Sequence, residues 1–164
     1  MGGVDGGRWA TFDCYGTLID WNGGLRNALG TDELVVRYHE AEPAVQREDP
    51  ESTYRKVMTE TARRIGAPDP EGLAESLPSW EPFPEVPAAL EEARGRGWRL
   101  AILSNTDRDF IEASMAWIGV PFEISIVASD IGSYKPAHGH WRAFELSTGR
   151  LPDVHVGLDR KSVV

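Results

Sequence analysis

The sequence predicts an α/β fold: a parallel sheet built from βαβ units, interrupted by an inserted helical cap. Three observations lead there. Short apolar runs rich in β-branched and aromatic residues alternate with helical patterns. That alternation is the signature of parallel strands joined by helical crossovers. Between the first and second runs lies a longer stretch of different character, helical patterns broken by Pro and Gly, over residues 21–83.

Each element follows from its residues. Residues 1–8 are Gly-rich and carry no pattern. Arg8-Trp9-Ala10-Thr11-Phe12 favours a strand. It runs into Asp13-Cys14-Tyr15-Gly16-Thr17-Leu18, where Gly16 permits a tight turn. Helices are expected over 31–41, 51–65 and 71–76. Asp32 and Glu33 suit a helix start, Pro50 with Glu51 marks another, and Gly66 is a stop. Trp80-Glu81-Pro82-Phe83-Pro84-Glu85-Val86-Pro87 cannot be continuous helix or central strand, because each Pro lacks an N–H and fixes φ. It reads as the return from the insert. A helix over 88–96, a strand over 99–103, a helix over 108–118, a strand over 124–128, a helix over 138–148 and a strand from Val154 follow. The expected organisation is a discontinuous core (1–20 and 84–164) and a cap (21–83).

Composition bounds the function. The chain of 164 residues fits one domain or one domain with an insert. Its net charge of −9 argues against a nucleic-acid binder, which needs a basic face to displace counterions. No apolar run is long enough for a membrane helix, and the N-terminus does not read as a signal peptide. The single cysteine, Cys14, excludes an internal disulfide framework and fits a reducing compartment. A cytoplasmic protein acting on a small molecule, without nucleic acid or membrane, is expected, and a homodimer stays open.

In open parallel sheets ligands bind beyond the carboxyl ends of the strands, so polar residues just after apolar runs matter most. Asp13 follows the first run. A carboxylate fixed on a turn at that edge can act as a covalent nucleophile, and Thr17 can hold its oxygens. Ser104 and Asn105 follow the second, where short polar side chains can bind a carboxylate or a leaving group. Lys135, in Gly132-Ser133-Tyr134-Lys135-Pro136, can lie at the same edge and keep Asp13 ionised. Taken singly, each has a plainer reading: a strand-ending turn, a helix N-cap and a solvated lysine.

Taken together, in this order and after these runs, the three segments resemble the haloacid dehalogenase (HAD) superfamily, over about residues 9–156. The opening Phe12-Asp13-Cys14-Tyr15-Gly16-Thr17-Leu18-Ile19-Asp20-Trp21, then Leu103-Ser104-Asn105, then Ser133-Tyr134-Lys135-Pro136 look closest to the type II 2-haloacid dehalogenase branch. The resemblance implies a Rossmann-like core with a helical cap. It implies that Asp13 attacks the α-carbon of a 2-haloalkanoate, with an aspartyl ester as intermediate and water releasing a 2-hydroxy acid. It further implies that Thr17 orients Asp13, that Lys135 pairs with it, that Ser104 holds the substrate carboxylate and that Asn105 helps cradle halide. Tyr15 joins the substrate-binding set. A cap arginine is expected to grip the halide: Arg37, with Arg47 as the other candidate.

Tyr15 separates the branches. HAD phosphatases carry a second Asp there to protonate the leaving alcohol, whereas halide leaves without a proton. No cofactor or metal is therefore expected. Mg²⁺ enters only under the alternative of a phosphatase acting on a small phosphometabolite. The fourth family segment departs from the pattern. The chain reads Val156-Gly157-Leu158-Asp159-Arg160-Lys161-Ser162, with Asp159 displaced by one residue and Ser162 where an Asp is expected. Against the pattern the chain reads as incomplete at its C-terminus, which keeps an inactive HAD-like protein as a third alternative. The four histidines do not cluster in the sequence, and no metal site is expected between His138 and His140, which cannot share a helix face at their spacing.

Overall fold

A computed structural model describes residues 6–157. Leu158, Asp159 and Ser162, on which the reading of a fourth segment falls, lie outside the described residues.

Four strands form one sheet: β1 (Arg8–Phe12), β2 (Trp98–Ser104), β3 (Ile124–Val127) and β4 (Val154–Val156). All neighbours are parallel, in the order β3-β2-β1-β4. The chain steps outward from β1 to β2 to β3, then crosses back to place β4 on the other side of β1. That reversal creates a switch point between β1 and β4, where the carboxyl ends of such sheets open a crevice.

Strand alternation gives the sheet two apolar faces. Ala10, Phe12, Leu100 and Ile102 pack with Leu90 of α5 (Val86–Gly95) and with Phe110 and Ile111 of α6 (Arg108–Ile118). Trp9, Ala101, Leu103 and Ile126 pack with Phe144 of α8 (Gly139–Thr148). Trp9 meets the Phe144 ring edge-on at 5.4 Å. A four-residue helix, α7 (Ala128–Ile131), follows β3.

The segment after β1 forms α1 (Trp21–Leu29), α2 (Asp32–Glu48), α3 (Tyr54–Arg64) and α4 (Pro70–Ser76), with a 3₁₀ turn over Leu77–Ser79. The sequence reading overlooks α1 because Gly23 and Gly24 are poor helix formers. Two contacts explain the helix. The Asp20 side chain accepts the Gly23 N–H at 3.0 Å, capping the start. Gly24 lies against the Trp80 ring, where a Cβ would come within 2.1 Å of the indole. Helix α2 also runs past Ala41, where the reading stops it. Pro43 costs one backbone hydrogen bond, yet Val35, Tyr38, Glu42 and Val45 keep one buried face on either side of it. No helix among the described residues is long and apolar enough to cross a membrane.

The helical segment is tied to the sheet domain along one seam. Asp107, just before α6, accepts the Tyr54 and Arg55 backbone N–H groups at 2.9 Å each. The Tyr134 hydroxyl donates to the Ser52 carbonyl at 2.6 Å. Buried residues of both parts form one continuous core.

Candidate active site

Asp13 stands one residue beyond β1. Its backbone N–H donates to the Val156 carbonyl at 3.0 Å, which fixes it to β4 at the switch point. The chain then wraps around the Cys14 carbonyl, which accepts the N–H groups of Thr17, Leu18 and Ile19. Gly16 turns with φ of 84°, a region that disfavours side chains. Thr17 is buried within this turn, at 5% exposure.

The Lys135 ammonium lies 3.0 Å from Asp13 Oδ1 and donates to the Leu103 carbonyl at 2.7 Å. Both side chains are only partly exposed, 18% for Lys135 and 26% for Asp13, so the pair is weakly screened. Two of the three ammonium hydrogens are used, leaving one for a bound anion. The loop that delivers Lys135 is held by Asn105. Asn105 Nδ2 donates to the Lys135 carbonyl at 3.0 Å, and the Lys135 N–H donates to Asn105 Oδ1 at 2.6 Å. The Asn105 amide thus clamps the lysine segment and keeps its second Nδ2 hydrogen for a ligand.

Ser104 ends β2 and is almost wholly buried, at 1% exposure. Its carbonyl accepts a hydrogen bond from His140 Nε2 at 2.9 Å. A carbonyl only accepts, so Nε2 carries the proton and His140 is held as one tautomer. Burial, with a smaller contribution from the Lys135 charge, pushes the His140 imidazole below its ordinary value. The ring is neutral at pH 7.

Tyr15 stands where a phosphatase would place its second carboxylate. It is 4% exposed, bonds Ser114 Oγ through its hydroxyl at 2.9 Å and packs on Trp21. Burial pushes its phenol well above the ordinary value. It is thus a neutral apolar wall with a satisfied hydroxyl. Cys14 is fully buried, and burial together with the Asp13 charge pushes its thiol up, so no thiolate forms there.

Asp13, Thr17, Tyr15, Ser104, Asn105 and Lys135 thus lie on the turns and loops at the carboxyl edge of the sheet. The structure does not bring Arg37 to them. Arg37 is exposed on α2 and pairs with Glu33 one turn earlier, at 2.6 Å. Arg47 is likewise exposed, in the last turn of α2. The physical reason is the phase of the helix: Tyr38, Glu42 and Val45 own its buried face, and positions 37 and 47 fall on the other side. The buried polar group of α2 is Glu42, whose carboxylate accepts the hydroxyls of Tyr54 at 2.8 Å and Tyr38 at 3.3 Å.

His140 and His155 sit on different elements, yet both lie close enough to Asp13 and Lys135 to feel their charges. Spacing along one helix could not reveal this, because α8 and β4 bring the two together only through the crossover. The strand that carries His155 is legible in the sequence, but the facing of His155 depends on its register with Thr11.

Comparison with known proteins identifies the family and the fold. A family model described as haloacid dehalogenase-like hydrolase matches residues 8–151. The chain is 35% identical over 85 residues to the (S)-2-haloacid dehalogenase of Pseudomonas sp. (strain YL), covering 51% of this chain and 33% of that protein. It is 37% identical over 94 residues to haloacetate dehalogenase H-2 of Moraxella sp. (strain B), covering 56% and 38% respectively. The matched stretch therefore spans only about a third of the length of these relatives. Among solved structures, the L-2-haloacid dehalogenase of Xanthobacter autotrophicus with chloropropionic acid covalently bound superposes with a TM-score of 0.74 at 22% identity. That match covers 90% of this chain and 67% of the other, and it shows a shared fold. With the family match extending over most of its length, the chain belongs to the haloacid dehalogenase-like hydrolases.

Proposed function

We propose that this protein displaces halide from small 2-haloalkanoic acids through an ester on Asp13. The observation that carries the reading is the Asp13–Lys135 pair at the end of β1, with Tyr15 in place of a second carboxylate. Lys135 holds Asp13 Oδ1 at 3.0 Å and so orients the carboxylate for attack by its other oxygen. An Asp13 carboxylate oxygen attacks the α-carbon, the carbon–halogen bond breaks and halide departs with the bonding pair. A halide needs no proton from the protein, so the buried, hydrogen-bonded Tyr15 hydroxyl is no handicap. The remaining Lys135 hydrogen and Ser104 are the proposed partners of the substrate carboxylate. Thr17 steadies the turn that presents Asp13.

The helical segment 21–83 is the proposed cap, resting on the core through Asp107 and Tyr134. In this reading the halide is not met by Arg37 or Arg47. Reaction needs no cofactor. The similarity to an (S)-2-haloacid dehalogenase and a haloacetate dehalogenase supports the substrate class, and the compartment expected for such a protein is the cytoplasm.

Intact-mass spectrometry tests the proposal. After incubation with bromoacetate or 2-chloropropionate, the wild type should carry an adduct that peptide mapping places on Asp13, and should release halide. Asp13→Asn should show neither. An unmodified wild type that hydrolyses p-nitrophenyl phosphate with Mg²⁺ would establish the phosphatase alternative instead.

A further inference from the structure

We infer that His155 is the base that activates the water which hydrolyses the Asp13 ester, with Gly157 leaving the ring's Nε2 edge uncovered. The inference rests on the aspartyl-ester reading above and goes beyond it by assigning the second half of the reaction.

The argument begins with register. Thr11 pairs with His155 across the β1–β4 ladder, and Asp13 follows two residues later on the same face of the sheet. His155 is therefore at the switch point, one step back from Asp13. Two contacts orient its ring. Nδ1 lies 2.9 Å from Thr11 Oγ1, and Trp141 of α8 meets the ring edge-on at 4.7 Å between centroids. The Thr11 hydroxyl has one hydrogen, which is directed to the Val154 carbonyl at 3.4 Å. Thr11 Oγ1 then accepts from Nδ1–H, and the lone pair of the ring is on Nε2.

Nε2 faces Gly157. A Cβ built on Gly157 would stand 3.2 Å from His155 Nε2 and 3.8 Å from Asp13 Cβ. A side chain at Gly157 would therefore crowd the ring edge and reach the nucleophile, so glycine here leaves the Nε2 edge and the Asp13 side chain uncovered toward each other. Among the described residues, the charges that act on His155 are those of Lys135 and Asp13. Partial desolvation, then the Lys135 charge, holds the ring below its ordinary value, so Nε2 is unprotonated at neutral pH.

The step balances as follows. Nε2 takes one proton of the water as its oxygen bonds to the Asp13 carbonyl carbon. When the ester C–O bond breaks, Nε2–H returns that proton to the departing alkoxide, which leaves as a 2-hydroxy acid. The second water proton passes to solvent as the Asp13 carboxylate is restored. Lys135 stays on the carboxyl oxygen throughout and stabilises the charge that develops there.

The test separates the two half-reactions by mass spectrometry under single turnover. His155→Asn keeps a group at the Nδ1 position for Thr11 and removes Nε2. It should form the Asp13 adduct with a wild-type burst and then hydrolyse it at least ~100-fold more slowly, so the adduct accumulates. Gly157→Ala, whose methyl would crowd the Nε2 edge, should also accumulate adduct. A His155→Asn protein that turns over like wild type overturns the inference. So does one that loses alkylation and hydrolysis together, because that is the mark of a merely structural ring. A wild-type adduct that is never hydrolysed overturns it too. A wild type that forms no adduct removes the ester reading itself, and the inference with it. Should His155→Asn fail to fold by circular dichroism, the Gly157→Ala burst decides.

Discussion

Removing the ammonium of Lys135 would leave Asp13 Oδ1 and the Leu103 carbonyl without their shared donor. Lys135→Met keeps the apolar stem and takes away only the charge. We expect the rate of Asp13 alkylation to fall at least ~100-fold, since a charge-assisted donor at a reacting group is worth that much. Stability should fall by only about 1–3 kcal/mol, the cost of unsatisfied acceptors. Adduct formation by mass spectrometry and urea unfolding measure the two separately. His140 gives a pH signature. Its folded imidazole is pushed below the unfolded value, so the unfolded chain binds more protons in acid. Its contribution is fully present above the unfolded value of about 6.5 and is lost as pH falls through the folded value. The urea midpoint should therefore drop between pH 7.5 and pH 5, and the drop should shrink in His140→Gln. Asp13, Ser104 and Lys135 were legible because each follows an apolar run or a turn signal. His140 and His155 were not, because no spacing rule links a helix to a strand across a crossover.

At the level of elements, tertiary contacts override propensity in the helical segment. Gly24 sits in α1 against Trp80, itself only 6% exposed. Gly24→Ala should raise the intrinsic helix propensity yet destabilise the protein by about 1–3 kcal/mol, the usual cost of overpacking. Thermal unfolding of the variant, with recovery in Gly24→Ala combined with Trp80→Leu, checks that the indole is the cause. Helix α2 shows the same dominance. Its continuous buried face carries it through Pro43, and that phase is what turns Arg37 and Arg47 outward. From sequence, a cap arginine near residue 37 was a reasonable expectation. Which side of α2 would be buried depended on α1 and α3, which pack against it through Trp21 and Tyr54.

The whole molecule depends on covering both faces of a four-stranded sheet. On one side α8 does this, with Phe144 wholly buried against Trp9 and the β2–β3 residues. The same helix carries His140 and Trp141, so it both completes the core and holds the site's imidazoles. Phe144→Ala should cost about 3–5 kcal/mol, measured by denaturant unfolding. It should also slow adduct formation, because the Ser104 carbonyl loses its fixed donor as α8 loosens. Wild-type alkylation in a variant destabilised to that extent would show that α8 serves the core alone.

The sequence by itself determined the α/β class, the parallel order of strand and helix, the break at residues 21–83 and the edge on which Asp13, Ser104, Asn105 and Lys135 stand. These follow from local causes: apolar alternation, turn residues and the rule that strand ends open to ligand. Only the tertiary structure decided that Asn105 clamps Lys135, that the buried face of α2 excludes Arg37, and that His140 and His155 converge on the Asp13–Lys135 pair. Those outcomes depend on helix phase, strand register and the return of β4 beside β1, which are set by packing between segments far apart in the chain and leave no periodic trace within any one of them.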